Sequence, residues 1–192
     1  MEVTVLGCAI GHSAHGGYDS MVTLQINVED PDGTVHMIEP FGPFDVPIDG
    51  NVNNGSSIRR LIFGMWSADS RVSVTGRSYE WDGNDITASS SWSVIDHTEN
   101  SYNNPYVFVL RDGDTPPTLP GFADQASAEQ FVAPYIDDAT GNMKLGTNQA
   151  IFLFELGASS TSSSGYDLQD AVVLLTLGEN LVTLDANAAA HD

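Results

Sequence analysis

The chain has 192 residues, enough for one domain with a substantial core, and 41% of them are hydrophobic. Its 26 acidic residues face only 6 basic ones, a formal net charge of -20, which excludes nucleic acid as a partner and disfavours anionic membranes. No run of 18 apolar residues occurs, so no helical membrane insertion is expected.

Charge of this size repels itself unless salt screens it or cations neutralise it. The acid load therefore reads either as a solubilising, salt-adapted surface or as a source of calcium ligands. Cys8 is the single cysteine; it cannot form an internal disulfide and reads as a small core residue.

Period-two patterning dominates the chain. Residues 1–10 (MEVTVLGCAI) read as a first strand rather than an export signal. Residues 21–28 alternate strictly and predict a half-buried strand, followed by a turn at 29–34 and a partner strand at 34–38. Residues 41–47 read as an extended, proline-punctuated crossing and 49–57 as a polar loop. Further strands are expected at 58–66, at 71–80, at the Ser-rich edge segment 86–94, and at 106–110, the last in a central position. A short helix is expected at 126–132, capped by Asp124 or Ser127, with Gln130 completing a capping box and Pro134 ending the run. A turn at 137–142 leads to two nearly all-apolar strands, 150–156 (AIFLFEL) and 171–177 (AVVLLTL), joined by a Ser/Gly loop.

About ten short strands and one helix predict an all-β fold, a two-sheet antiparallel sandwich of jelly-roll type. Residues 1–186 read as a single domain and 187–192 as a frayed tail.

The strongest chemical constellation is Asp167 with Asp170, entering the last apolar strand, and Glu155, ending the preceding one. Calcium takes six to eight oxygens from carboxylates, carbonyls and water, and a D-x-x-D step delivers two carboxylates to one point. If the two apolar strands pair, Glu155 approaches the aspartates. An ionised group at the end of an apolar run is costly without a partner. The bland alternative is that both aspartates cap a turn.

This segment resembles a calcium-binding β-sandwich domain of bacterial exoproteins and surface proteins. That family carries an apolar strand ending in an acid, a Gly/Ser-rich loop, and a D-[FY]-[ND]-D-[VL]-V signature before another apolar strand. The matching residues are Phe152, Phe154, Glu155, Asp167, Asp170, Val172 and Val173, so the resemblance covers roughly residues 150–177. Leu168 and Gln169 stand where the signature has an aromatic and Asn or Asp, and Gly157 stands where a second acid is usual. The resemblance implies calcium as cofactor and an extracellular or cell-surface location.

Other clusters are weaker. Asp112 and Asp114 flank Gly113 but lack the distant bidentate Glu of a calcium loop, and Glu29, Asp30 and Asp32 belong to a turn. Cys8, His12, His15 and Asp19 carry zinc-type donors at no closed-site spacing. No G-x-S-x-G elbow is present, and no carboxylate pair stands out for glycoside hydrolysis. Trp66, Trp81 and Trp92 fall on adjacent strands and are candidates for stacking on a glycan.

The expectation is a non-enzymatic structural or adhesive protein, exposed at a surface or self-assembling into a homo-oligomer, with calcium at Asp167, Asp170 and Glu155. The alternative is a carbohydrate-binding module that uses Trp81 with Trp66 or Trp92.

Overall fold

Apolar side chains at every second position of residues 21–29 dictate an extended strand with one dry and one wet face. In the computed structural model this stretch is strand β4 (Met21–Glu29), preceded by β1 (Glu2–Gly7), β2 (Gly11–His12) and β3 (Tyr18–Asp19). The structure describes residues 1–12, 18–53, 59–64, 66–67, 69–81, 92–98, 104–121 and 125–178. The chain continues through β5 (Val35–Ile38), the single helical turn α1 (Pro47–Gly50), β6 (Arg59–Ile62), β7 (Arg71–Trp81) and β8 (Trp92–Thr98). It ends with β9 (Val107–Leu110), α2 (Ala128–Val132), β10 (Gln149–Phe154) and β11 (Ala171–Thr176).

Two antiparallel sheets form the body. One has five strands in the order β6-β1-β11-β10-β9, the other four in the order β5-β4-β7-β8, and β2 with β3 makes a small separate ribbon. Val22, Leu24, Ile26, Val28 and Val74 from the four-stranded sheet pack on Val3, Val5, Phe152, Phe154, Val173 and Leu175 from the other, which is the filling of a β-sandwich.

A second core lies on the far face of the five-stranded sheet. Ile151, Leu153, Val172 and Leu174 point outward and are covered by Ala128, Val132, Met143, Leu145 and Leu168. This sheet is buried on both faces, which is why β10 and β11 are continuous rather than alternating in hydrophobicity. Ser127 and Gln130 form the expected capping box of α2. That helix settles over Gly7, where an added Cβ would lie 2.1 Å from the Phe131 ring.

The 30–34 turn closes the β4–β5 hairpin through Asp30 N–H to Thr34 O (2.8 Å), with Gly33 at φ +85°. Several boundaries differ from expectation. Pro47 sits in the first turn of α1, where its missing N–H needs no partner, so residues 47–50 coil into a turn instead of running on as loop. Among the described residues strand β9 is an edge strand, not a central one; it reads as apolar because Leu110 is buried under the layer around α2 and Val107 in the sandwich core, although Phe108 is 44% exposed. Of the strand expected at 86–94, residues 86–91 lie outside the described residues, as do His15 and the tail at 187–192; the described part, β8, is an edge strand as expected.

Candidate functional site

Strands β10 and β11 pair antiparallel with Phe154 opposite Ala171, so the chain positions just beyond that pair are brought together. Glu155 follows the end of β10 and Asp170 precedes the start of β11. The loop between them turns back through Asp167, and Leu168 there adopts φ 59°, the left-handed region. All three carboxyl groups are buried: Glu155 is 0% exposed, Asp167 1% and Asp170 4%.

Glu155 gathers the loop onto itself. Its Oε1 accepts the amides of Gly157 (3.1 Å) and Ala158 (2.6 Å), and its Oε2 accepts those of Asp167 (2.9 Å) and Leu168 (3.3 Å). The left-handed turn at Leu168 aims two successive N–H groups at one oxygen, an anion-cradling nest. The Leu168 side chain is buried in the second core, which offsets the backbone strain.

Asp170 completes the junction. Its Oδ2 accepts the Leu156 amide (2.5 Å), and its carbonyl accepts the Cys8 thiol (2.6 Å). Burial first, and then the charge of the adjoining Glu155, push the Asp170 carboxyl well above the usual aspartate range, against the opposing pull of the Leu156 amide. A hydrogen bond with the Glu155 carboxyl group raises it further.

Asp167 faces a different neighbour. Its Oδ1 accepts the Gln169 amide (3.3 Å) and its Oδ2 accepts Gln169 Nε2 (3.0 Å), which also donates to Gln125 Oε1 (2.8 Å). Gln169 is 1% exposed, and its Oε1 has no hydrogen-bond partner among the described residues. Sequence reasoning passed over Gln169 as a departure from an acidic pattern and did not consider Gln125. The signal available was position: a polar side chain between two buried acids needs internal partners.

The three acids singled out by sequence thus meet in one buried cluster. The donor chemistry suits a hard cation, but all four amides on Glu155 would compete with one. Among the described residues, no three acidic, histidine or cysteine side chains are arranged to hold a metal ion.

The remaining candidates separate. Asp112 Oδ1 takes the Leu145 amide (3.0 Å) and Asp114 Oδ2 the Arg111 amide (2.7 Å), fixing a turn around Gly113 at φ +82°. Asp30 binds His36 (2.9 Å) and the Ser70 hydroxyl (2.8 Å), and Asp32 caps the Thr34 amide (2.8 Å). His12 falls opposite Tyr18 in the β2–β3 ribbon, and Cys8 is engaged with Asp170. Trp66 packs against the sandwich core with its ring centroid 5.0 Å from that of His36. Trp81 and Trp92 are backbone partners in the register of β7 and β8.

These features define an all-β sandwich whose most elaborate polar site lies inside, at the junction of its two most apolar strands. No protein-family model matches the chain, and no curated protein or solved structure shows significant similarity to it.

Proposed function

We propose that this chain is a non-catalytic structural or adhesive β-sandwich subunit, exposed at a surface and built to self-assemble. The observation that carries this reading is the use made of the Glu155 cluster. Its acid oxygens are turned onto backbone amides of their own loop, at 0% to 4% exposure, where they brace a fold and do not reach a substrate. A chain of net charge -20 associates with copies of itself only when salt or cations screen it, so assembly would respond to the ionic medium.

Calcium is part of the same proposal. Asp167 and Asp170 would hold the ion, with loop carbonyls, and it would supply positive charge beside the neighbouring Glu155. The glycan-binding reading keeps one supporting feature, the backbone pairing of Trp81 with Trp92; Trp66 serves it poorly because it packs on the core.

Light scattering after size exclusion tests the proposal, over a concentration series in low salt, high salt and millimolar calcium. Oligomers that grow with salt or calcium are expected. A monomer under every condition rejects the assembly reading.

A further inference from the structure

Strands β5 and β6 are the edges of the two sheets on one flank of the sandwich: the Trp66 ring, just past β6, lies tilted with its centroid 5.0 Å from that of His36 of β5. Neither has a second strand partner among the described residues. We infer that this flank is a dimer interface, in which β5 of one copy pairs antiparallel with β6 of a second copy and β6 with the second copy's β5. The inference rests on the self-assembly reading above and names its contact.

Backbone geometry comes first. In an antiparallel pair, alternate residues turn both N–H and C=O toward the partner strand, and the others turn them away. Asp30 N–H bonds Thr34 O, so pairs Val28–His36 and Ile26–Ile38 are the bonded ones, and Val35 and Met37 present their backbone to the open edge. Met1 and Phe63 exchange both bonds, so Val3–Leu61 and Val5–Arg59 are bonded, and Arg60 and Ile62 face outward.

The two edges also match in level and direction. Ser70 and Val72, at the start of β7, line a cleft with Gln149 and Ala150 at the start of β10, and Ser78 later in β7 bonds Leu156 just past β10 (2.6 Å). Strands β7 and β10 therefore run together. Following the antiparallel pairings outward, β5 and β6 run in opposite senses, with Val35 level with Ile62 and Ile38 level with Arg59. A twofold axis along the strands then sets Val35 against Ile62 of the copy, and Met37 against Arg60. Those four residues are the ones with outward backbone.

Shape and charge agree. With β7 over β10, three strands (β11, β1, β6) lie beyond β10 but only two (β4, β5) beyond β7, so β6 overhangs the recessed β5 and each copy fills the other's step. The β5 edge exposes Val35 (55%) and Met37 (71%) and is flanked by Glu29, Asp32 and Glu39. The β6 edge exposes Leu61 (39%) and carries Arg59 as its cation toward the copy, while Arg60 pairs with Glu2 of its own chain. An open apolar edge of this kind is a template for another strand.

The test is sedimentation velocity of the full chain across a micromolar-to-millimolar series at moderate salt. Wild type should dimerise; Met37→Pro and Ile62→Pro, each deleting an outward N–H, should each be monomeric with unchanged circular dichroism. Mixed together they should regain a dimer weaker than wild type, because one of the two strand contacts is then intact. Arg59→Glu, a change confined to charge, should weaken the dimer if either proline variant misfolds. Wild-type oligomers that survive both Ile62→Pro and Arg59→Glu overturn this interface while leaving self-assembly standing. A wild type that never associates overturns both.

Discussion

Glu155 and Asp170 press two carboxyl groups together at the open end of the β10–β11 pair, where burial and the neighbouring acid raise the Asp170 carboxyl well above its usual range. Two acids buried side by side cannot both ionise cheaply, and four backbone amides converge on Glu155.

Glu155→Gln should therefore be strongly destabilising although it is isosteric. One carbonyl oxygen and one NH2 would replace two acceptors, leaving two of the four buried amides facing a donor. At about 1–3 kcal/mol for each orphaned group, a loss of roughly 2–6 kcal/mol is expected in urea unfolding. A loss below about 1 kcal/mol would mean that the amides have other partners.

Asp170→Asn should behave in the opposite way. Asparagine mimics the protonated acid, accepting from Leu156 and donating toward Glu155. Because the folded-state pKa of Asp170 is raised, the native state binds the proton more tightly than the unfolded chain. Wild-type stability should fall as pH rises from about 4 through the raised value, each tenfold in that preference being worth about 1.4 kcal/mol. The difference between variant and wild type should be near zero at low pH and grow in the variant's favour at neutral pH. A difference independent of pH would refute the raised Asp170 pKa.

Calcium should shift this balance if Asp167 and Asp170 bind it. At about 100 times its dissociation constant a ligand adds roughly 2.7 kcal/mol, several degrees in a thermal melt. The expected result is a midpoint raised by calcium over EDTA, more than by magnesium, and insensitive to calcium in Asp170→Ala. Equal rises with any salt would indicate screening alone.

Gly7→Ala probes the outer layer. The added methyl would meet the Phe131 ring at 2.1 Å, so α2 must lift or β1 must shift. Overpacking of this kind typically costs about 1–3 kcal/mol. Hydrogen exchange should show faster opening at α2 than in β4 or β7, and uniform destabilisation would argue against a local clash.

The sandwich was legible in sequence because alternation at residues 21–28 and the twin apolar runs admit few other structures, and the meeting of Glu155 with both aspartates followed once those runs paired. The second layer was harder to read. Among the described residues, 111–121 and 125–145 hold little regular structure beyond α2, so nothing local announced that Met143, Leu145 and Val132 roof a sheet. Strand β9 looked central because periodicity reports burial and cannot tell an interior strand from a roofed edge. The roles of Gln169 and Gln125 depend on contacts between segments distant in sequence, which neither propensity nor spacing encodes.

The order β6-β1-β11-β10-β9 has a consequence for biogenesis. The first described strand, β1, lies beside the last described one, β11, which is also the middle strand of its sheet. During synthesis the N-terminal half can close the β4–β5 hairpin and add β7, but its valine-rich face must wait with no lid until residues 171–176 leave the ribosome. Such long-range closure is slow and leaves apolar surface open meanwhile. The heavy negative charge would then keep nascent chains apart during that interval, before it has any part in holding mature copies together.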